Sequence, residues 1–543
     1  MTTSPELTTT PETPMPLRWG RDVVESTVNG YPVRVYRDRP HSVGQLLLDA
    51  RRWGDREFLV QGTRRLSYAD HEQAVAAVAN RLAAYGIATG DRVLILGFNS
   101  IEWFVSFWAI ESLGAVAVLG NPWWGAHELE VILGRIQPKL AISDVEMSQV
   151  SRVSIAEIRQ IVDAKEPATL RLAEVDEDDP ALVMFSSGTT GIPKGILVSQ
   201  RSVVGNLQNL LSMTRRLPSE LEDSHPGTAS LQTVPLFHLA GVQVSCGTIL
   251  QGGKLVMLDG KFDPAEVLRL IEVEQVKSWG AIPTMVSRVL DHPDLQTRDV
   301  SSLGSIPLGG AAVPDELRAR IAATFPKVNK RVGSLYGLTE TGGLLAAAAG
   351  SEINGHPGRV GKPLPVVDIK IVGAGEDGVG EIYGRTPNVP LEIVGEGPVA
   401  DGEGWVATGD LGRIDDEGYL YVTGRAKEII IRGGENIAAA HIENTLQRHP
   451  DLSDAGVLAL PDADLGEIVG AIVVLAPGAD FDRDSILALC REYLGKFEIP
   501  ERWWIRRDKL PMTAVGKMDK KLLKAQWIER GIVDLDDSGP ADA

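Results

Sequence analysis

The stretch MFSSGTTGIPKGILVS, Met184 to Ser199, sets hydroxylated residues and glycines in a run that ends in a lysine. Such a run can hold phosphate, because backbone N–H groups approach phosphate oxygens closely where side chains are absent, as at Gly188 and Gly191. Ser186, Ser187, Thr189 and Thr190 would add hydroxyl donors, and Lys194 a point charge. The pattern is not the Walker loop G-x4-G-K-[ST], since Lys194 follows Pro193 and precedes Gly195. The flanks differ too: ALVMF and GILVS both read as strands, whereas a Walker loop opens directly into a helix. The expectation is a strand–loop–strand device. Taken alone, a Gly/Ser/Thr run fits an ordinary hairpin or a linker at least as well.

The elements that would aim this loop are legible around it. SYADHEQAVAAVANRLAAYG, from Ser67, places Val75, Val78 and Leu82 on one helical face, with Ser67 and Asp70 at capping-box spacing and Gly86 at the end. DRVLILG, a helical stretch with Trp103 and Phe107, and GAVAVLG follow in the order strand, helix, strand, which reads as a βαβ unit. Asp263 and Pro264 start a helix carrying Val267, Leu268 and Ile271. SIPLGGAAVPDELRARIAATF repeats the strand-to-helix pattern. Near residue 360 the texture turns Gly-rich and β-like. Beyond Arg425 to Lys427 it reads helix, strand, strand, helix through AAHIENTLQ, AGVLAL, EIVGAIVVLA and DSILALCREYL.

The chain's 543 residues exceed one compact core. The expected fold class is α/β: a large N-terminal domain of layered α/β sheets with a β-rich subdomain, then a small mobile α+β C-terminal domain. The expected divisions are a disordered arm at 1–16, a large domain at 17–425, a hinge at 426–427, a small domain at 428–526 and a tail at 527–543. A net charge of −19 argues against a nucleic-acid partner, which needs a broad basic surface. Cys246 and Cys490, the two cysteines, have neither metal nor redox spacing and fit buried positions in a reduced, cytoplasmic protein. The N-terminus lacks the basic and apolar regions of a secretory signal, and no run is apolar enough to span a bilayer. The acidic end DLDDSGPADA is expected to fray.

SSGTTGIPKG resembles the phosphate loop of the adenylate-forming superfamily, closest in motifs to acyl-CoA and aryl-CoA synthetases. Further motifs follow in that superfamily's order: PLFHLAG (Pro235 to Gly241), LGGAAVP (Leu308 to Pro314), YGLTET (Tyr336 to Thr341), TGDLGRIDDEGYLYVTGRAKEIIIRGGENI (Thr408 to Ile437) and GKMDK (Gly516 to Lys520). The resemblance runs from about Ser67 to about Leu523 and implies ATP, Mg2+ and the co-substrate CoA. It makes 186–194 the β- and γ-phosphate cradle, Glu340 the Mg2+ ligand and Thr339 a phosphate contact. Gly309, Gly310, Ala311 and Ala312 would run against the adenine, with Tyr336 and Gly337 near its face. Asp410 would take the ribose hydroxyls, and Arg425 would contact the nucleotide. Lys517 would reach the carboxylate oxygen and α-phosphate during adenylation. Lys427 would serve as the hinge, and Gly433 and Gly434 would face the thiol in a second pose. Lys520 and Lys521 are expected to be solvated.

The sequence departs from that pattern at Ala439, where a proline is frequent, at His441, where an acid is frequent, and at Gln200, where a histidine is frequent. His238 resembles the residue at the carboxylate end of the acid pocket. Leu239 stands where amino-acid-activating relatives carry an aspartate, which implies an acid without an α-amino group. The pocket wall is expected to include Leu239, Val242, Trp279, Gly280, Ala281 and Gly310. The activity implied is an ATP-dependent acid–CoA ligase, monomeric or homodimeric, that acts on a small acyl or aryl carboxylic acid through an acyl-adenylate. The alternatives are an adenylating enzyme with a carrier-protein thiol or an amine as acceptor, one with a non-carboxylic acid, and a non-catalytic nucleotide-binding scaffold.

Overall fold

Strands Arg92–Leu96 and Val116–Gly120 run parallel and are joined by the helix Ile101–Ser112, so the βαβ unit read from the sequence forms as such. The computed structural model describes residues 18–186, 193–308, 315–325, 327–328, 333–353, 356, 358–425, 429–432, 435–462, 465–494, 498–513 and 518–537. The arm at 1–16 and the hinge at 426–427 lie outside them. Ile101–Ser112 is buried on every side, as its apolar composition requires. The helix Tyr68–Ala84 packs on it and starts with the expected capping box: Ser67 Oγ accepts from Asp70 N, and the Asp70 carboxylate accepts from Ser67 N.

These strands belong to a seven-stranded sheet ordered Glu392–Ile393, Lys194–Ser199, Pro180–Ser186, Val116–Gly120, Arg92–Leu96, Leu140–Ser143, Ser151–Val153. A five-stranded sheet sets Ser278–Gly280, Ala229–Gln232, Lys254–Met257 and Glu57–Gln61 in parallel, with Arg64–Ser67 antiparallel at its edge. Helix Pro264–Val273 follows with Asp263 as its cap. A third, antiparallel sheet has seven strands ordered Ser334–Leu338, Gly343–Ala348, Arg359–Pro363, Leu420–Arg425, Val406–Ile414, Gly380–Arg385, Asp368–Val372. It starts ahead of the change in texture near residue 360. GLLAAA, whose alanines favour helix, is held extended by partners on both edges.

Beyond residue 428 the order helix Ala439–Leu446, strands Leu452–Asp462 and Gly466–Leu475, helix Arg483–Tyr493 matches the sequence reading, and these strands join a six-stranded sheet. The C-terminal end differs from expectation. Trp527 is fully buried, and Leu535–Asp537 adds a parallel strand to Arg502–Arg506. The Asp537 carboxylate accepts from Trp504 Nε1 at 2.7 Å and pairs with Arg530 at 2.7 Å, so the acidity read as a fraying tail is used locally as far as Asp537. Among the described residues no helix is long and apolar enough to cross a membrane.

Gln200, which stands where a histidine is frequent, is a tie inside the core. Its Oε1 accepts from Val43 N at 2.7 Å, and its Nε2 donates to Glu111 Oε2 at 3.3 Å. Glu111 is 3% exposed, and burial holds its carboxyl well above the usual carboxylate range. The folded chain therefore keeps a proton that the unfolded chain releases, and wild-type stability falls as pH rises above the ordinary carboxylate pKa. Glu111→Gln removes that dependence. We expect its melting temperature to exceed wild type by about 2 °C or more at pH 8, with the gap closing toward pH 5. Melts of both proteins across that range check this; a constant gap would show that Glu111 is not the titrating group.

Candidate active site

Lys194 lies opposite Ser186 in the antiparallel register of Pro180–Ser186 and Lys194–Ser199, so the two strands pin both ends of the loop between them. The hydroxylated centre, Ser187, Gly188, Thr189, Thr190 and Gly191, lies outside the described residues. Ser186 Oγ is buried and makes no hydrogen bond among the described residues. Lys194 Nζ stands 2.6 Å from Glu396 Oε2. That carboxylate holds the ammonium at the loop's base, and an incoming phosphate would compete for it.

The third sheet places Tyr336 and Asp410 together. The Tyr336 hydroxyl donates to Asp410 Oδ2 at 2.8 Å, and Asp410 is only 5% exposed. Arg425 is the register partner of Asp410 on the neighbouring strand. Gly337 has a structural reason: a Cβ there would collide with the Gly343 carbonyl across a register shift between the paired strands. A buried carboxylate that already holds a tyrosine hydroxyl is suited to a second pair of hydroxyls. Asp410→Asn keeps an acceptor for Tyr336 and removes the charge. We expect it to raise the KM for ATP about 10- to 100-fold, the loss of a charge-assisted hydrogen bond, with little change in melting temperature. Steady-state kinetics in ATP at saturating acid measures this.

Thr339 and Glu340 sit in a tight turn, Thr339–Thr341, whose shape rests on residues the sequence reading did not single out. Thr341 Oγ1 accepts from Leu338 N at 3.0 Å and lies within hydrogen-bonding distance of the Leu338 and Gly343 carbonyls. Gly342 is left-handed at φ +66°, against the Asn388 carbonyl. Asn206 Oδ1 accepts from Leu344 N at 3.0 Å and fixes the start of the following strand. The doubled glycine after the turn was a readable signal. Asn206 and Asn388, far off in sequence, carried none. Glu340 is half-buried, and no cluster of three or more His, Cys, Asp or Glu that could hold a metal occurs among the described residues. A single carboxylate fits a magnesium ion that takes its other ligands from phosphates and water, and does not fit an all-protein metal cage.

His238 precedes the helix Leu239–Leu250, its ring 4.6 Å from that of Phe237. Of the expected pocket wall, Leu239 and Val242 lie on this helix, and the Gly280 backbone is packed close to Val244. Trp279 is fully buried and donates through Nε1 to Thr233 Oγ1 at 2.9 Å, beside Ala281. Gly309, Gly310, Ala311, Ala312, Lys427, Gly433, Gly434 and Lys517 lie outside the described residues. His441 pairs through Nδ1 with Glu498 at 3.0 Å, which raises its pKa. Lys520, expected to be solvated, instead pairs with Glu443 at 2.9 Å.

Residues 48–392 match the family described as AMP-binding enzyme, and residues 441–517 match the AMP-binding enzyme C-terminal domain. A feruloyl-CoA synthase of an Amycolatopsis species is 31% identical over 514 residues, 91% of this chain and 97% of that protein. An indoleacetate–CoA ligase of Aromatoleum aromaticum is 31% identical over 489 residues, 84% of this chain and 92% of that protein. Among solved structures, o-succinylbenzoate CoA synthetase of Bacillus subtilis in complex with its acyl-adenylate intermediate superposes with a TM-score of 0.75 at 28% identity, covering 88% of this chain and 98% of that one.

Proposed function

The chain belongs to the AMP-binding enzyme family, and from that premise we propose that it is an ATP-dependent ligase joining a ring-bearing carboxylic acid without an α-amino group to CoA. One observation carries the reading: the two relatives described above, each 31% identical and matched over 84% of the chain or more, are named as CoA ligases of ring-bearing acids, while a long-chain-fatty-acid–CoA ligase of Bacillus subtilis is 29% identical over 88% of the chain. The absence of an acidic side chain at Leu239, directly after His238, supports an acid with no amine to pair.

In this reading the acid's carboxylate oxygen attacks the α-phosphorus of ATP, and the bond to pyrophosphate breaks. The CoA thiolate then attacks the acyl carbon, and AMP leaves with its carboxylate-derived oxygen. Asp410, oriented by Tyr336, holds the ribose hydroxyls. Ser186 and Lys194 hold the outgoing phosphates, with Glu396 released from the ammonium. Glu340 would hold magnesium, which when bound offsets the charge on the phosphates. Thr339 steadies a phosphate oxygen, and His238 stands at the carboxylate end of the acid. Lys517 supplies a cation to the first transfer, and the glycines at 433 and 434 give the pantetheine arm passage in the second. Lys427 lets the small domain change pose between the two.

The test is pyrophosphate release with ATP and Mg2+ across benzoic, phenylacetic, cinnamic and straight-chain acids, each with and without CoA. A ring-bearing acid that gives CoA-dependent AMP and a thioester is the expected result. Pyrophosphate release indifferent to CoA, with no thioester, would keep the adenylation step and reject CoA as acceptor.

A further inference from the structure

We infer that Gln243 reads an oxygen at the far end of the bound acid, so that the preferred substrate carries a hydroxyl, methoxy or carbonyl oxygen there; this rests on the acid–CoA ligase reading above. Gln243 lies on the helix that starts after His238 and is only 6% exposed, yet its Nε2 makes no hydrogen bond among the described residues. It lines a small cavity between that helix and the helix Gln200–Thr214, with Leu239, Val242, Val203, Asn206 and Gly342 also in the wall. Two other polar atoms in the wall are already engaged. Asn206 Oδ1 accepts from Leu344 N, and Ser202 Oγ meets Ser199 Oγ at 2.9 Å. A buried donor without a partner is costly in a core, which makes it a position kept for an incoming acceptor.

The dimensions fit one atom group. The cavity leaves about 10 Å³ for the centre of a water-sized group, room for a single oxygen but not for a ring. Its wall includes Gly342, directly after the Thr339–Thr341 turn, so the cavity opens behind the residues assigned to the reacting end. From His238 to Gln243 the helix rises about 7.5 Å, comparable with the span of a one-ring acid from its carboxylate to a substituent on the far side. Leu239 and Val242 would flank the ring, and the Gln243 amide would meet the terminal oxygen in place of a water. An acid that ends in a methyl group would strand the donor again, and that penalty is the source of discrimination.

The experiment compares kcat/KM for para-hydroxy and para-methyl members of the benzoic, phenylacetic and cinnamic acids, in wild type and in Gln243→Leu, with melting temperatures alongside. In the best-used series wild type should favour hydroxyl over methyl by roughly 10- to 100-fold, and Gln243→Leu should bring the two within about threefold by losing only the hydroxyl substrate. A ratio that is the same in both proteins overturns the assignment. A wild type that treats hydroxyl and methyl alike also overturns it, without any need for the variant to fold. These outcomes leave the ligase standing. If no acid supports CoA-dependent pyrophosphate release, the ligase reading fails, and this inference fails with it.

Discussion

Lys517→Ala should lower acid-dependent pyrophosphate release by roughly 10²- to 10³-fold or more while ATP binding stays within a few-fold of wild type. As the acid oxygen approaches the α-phosphorus, charge accumulates on oxygens that neither Asp410 nor Ser186 reaches, since they are assigned to the ribose and the outgoing phosphates. A cation brought to that point stabilises the transition state more than bound ATP, so its loss appears in the rate and not in nucleotide affinity. The described residues on either side of Lys517 are well held. Met512 and Met518 bridge as a strand pair, Asp519 N donates to the Pro511 carbonyl at 2.8 Å, and the Asp519 carboxylate caps the helix Lys520–Glu529. Removing the lysine side chain alone leaves those anchors in place. The same variant, given preformed acyl-adenylate and CoA, should make thioester at close to the wild-type rate, because that step needs no phosphoryl transfer. Isothermal titration with ATP, pyrophosphate release and thioester formation separate the three. Unchanged pyrophosphate release would remove Lys517 from the mechanism. Lys520→Ala is the control: it breaks the pair with Glu443 and should cost stability before it costs turnover.

What could be read from the sequence were the local signals. The capping box at Ser67 and Asp70, the Asp263–Pro264 helix start and the strands on either side of the glycine loop each depend on residues within a turn or two of one another. Signals that depend on distant partners were not legible. GLLAAA pairs as a strand because neighbouring strands supply its hydrogen bonds. The acidic end is ordered through Asp537 because Trp504 and Arg530 meet that residue's carboxylate. Gln200 stood in the sequence only as a departure from a motif, because its partners Glu111 and Val43 lie far from it along the chain. The site divides in the same way. Tyr336, Glu340 and Asp410 were legible as motif residues, but that the Tyr336 hydroxyl holds the Asp410 carboxylate depends on how two non-adjacent strands of one sheet are brought together. Gln243 was invisible because one glutamine on an apolar helix says nothing until its amide is seen without a partner.

Gly342→Ala should abolish most activity and destabilise the fold together, because the residue is constrained in two independent ways. Its φ of +66° is left-handed, where a side chain is strained, and an added Cβ would sit within the Asn388 carbonyl. The first constraint alone costs roughly 1–2 kcal/mol. The second requires the backbone at Asn388 or the Thr339–Thr341 turn to move, and the turn is braced by Thr341 on one side and by the hydrogen bond from Leu344 N to Asn206 on the other. Displacing it moves Glu340 from the place where, in the proposed mechanism, phosphate and metal would meet it, and a misplacement of about 1 Å costs on the order of 10²-fold in rate. The expected result is a fall of several degrees in melting temperature with at least about a 10²-fold drop in kcat. Gly86→Ala isolates the first constraint: Gly86 is equally left-handed at φ +81°, but nothing lies within 4 Å of the added Cβ. That variant should lose a little stability and keep its turnover. If the two variants behave alike, backbone strain alone explains Gly342, and the turn does not depend on its contact with Asn388.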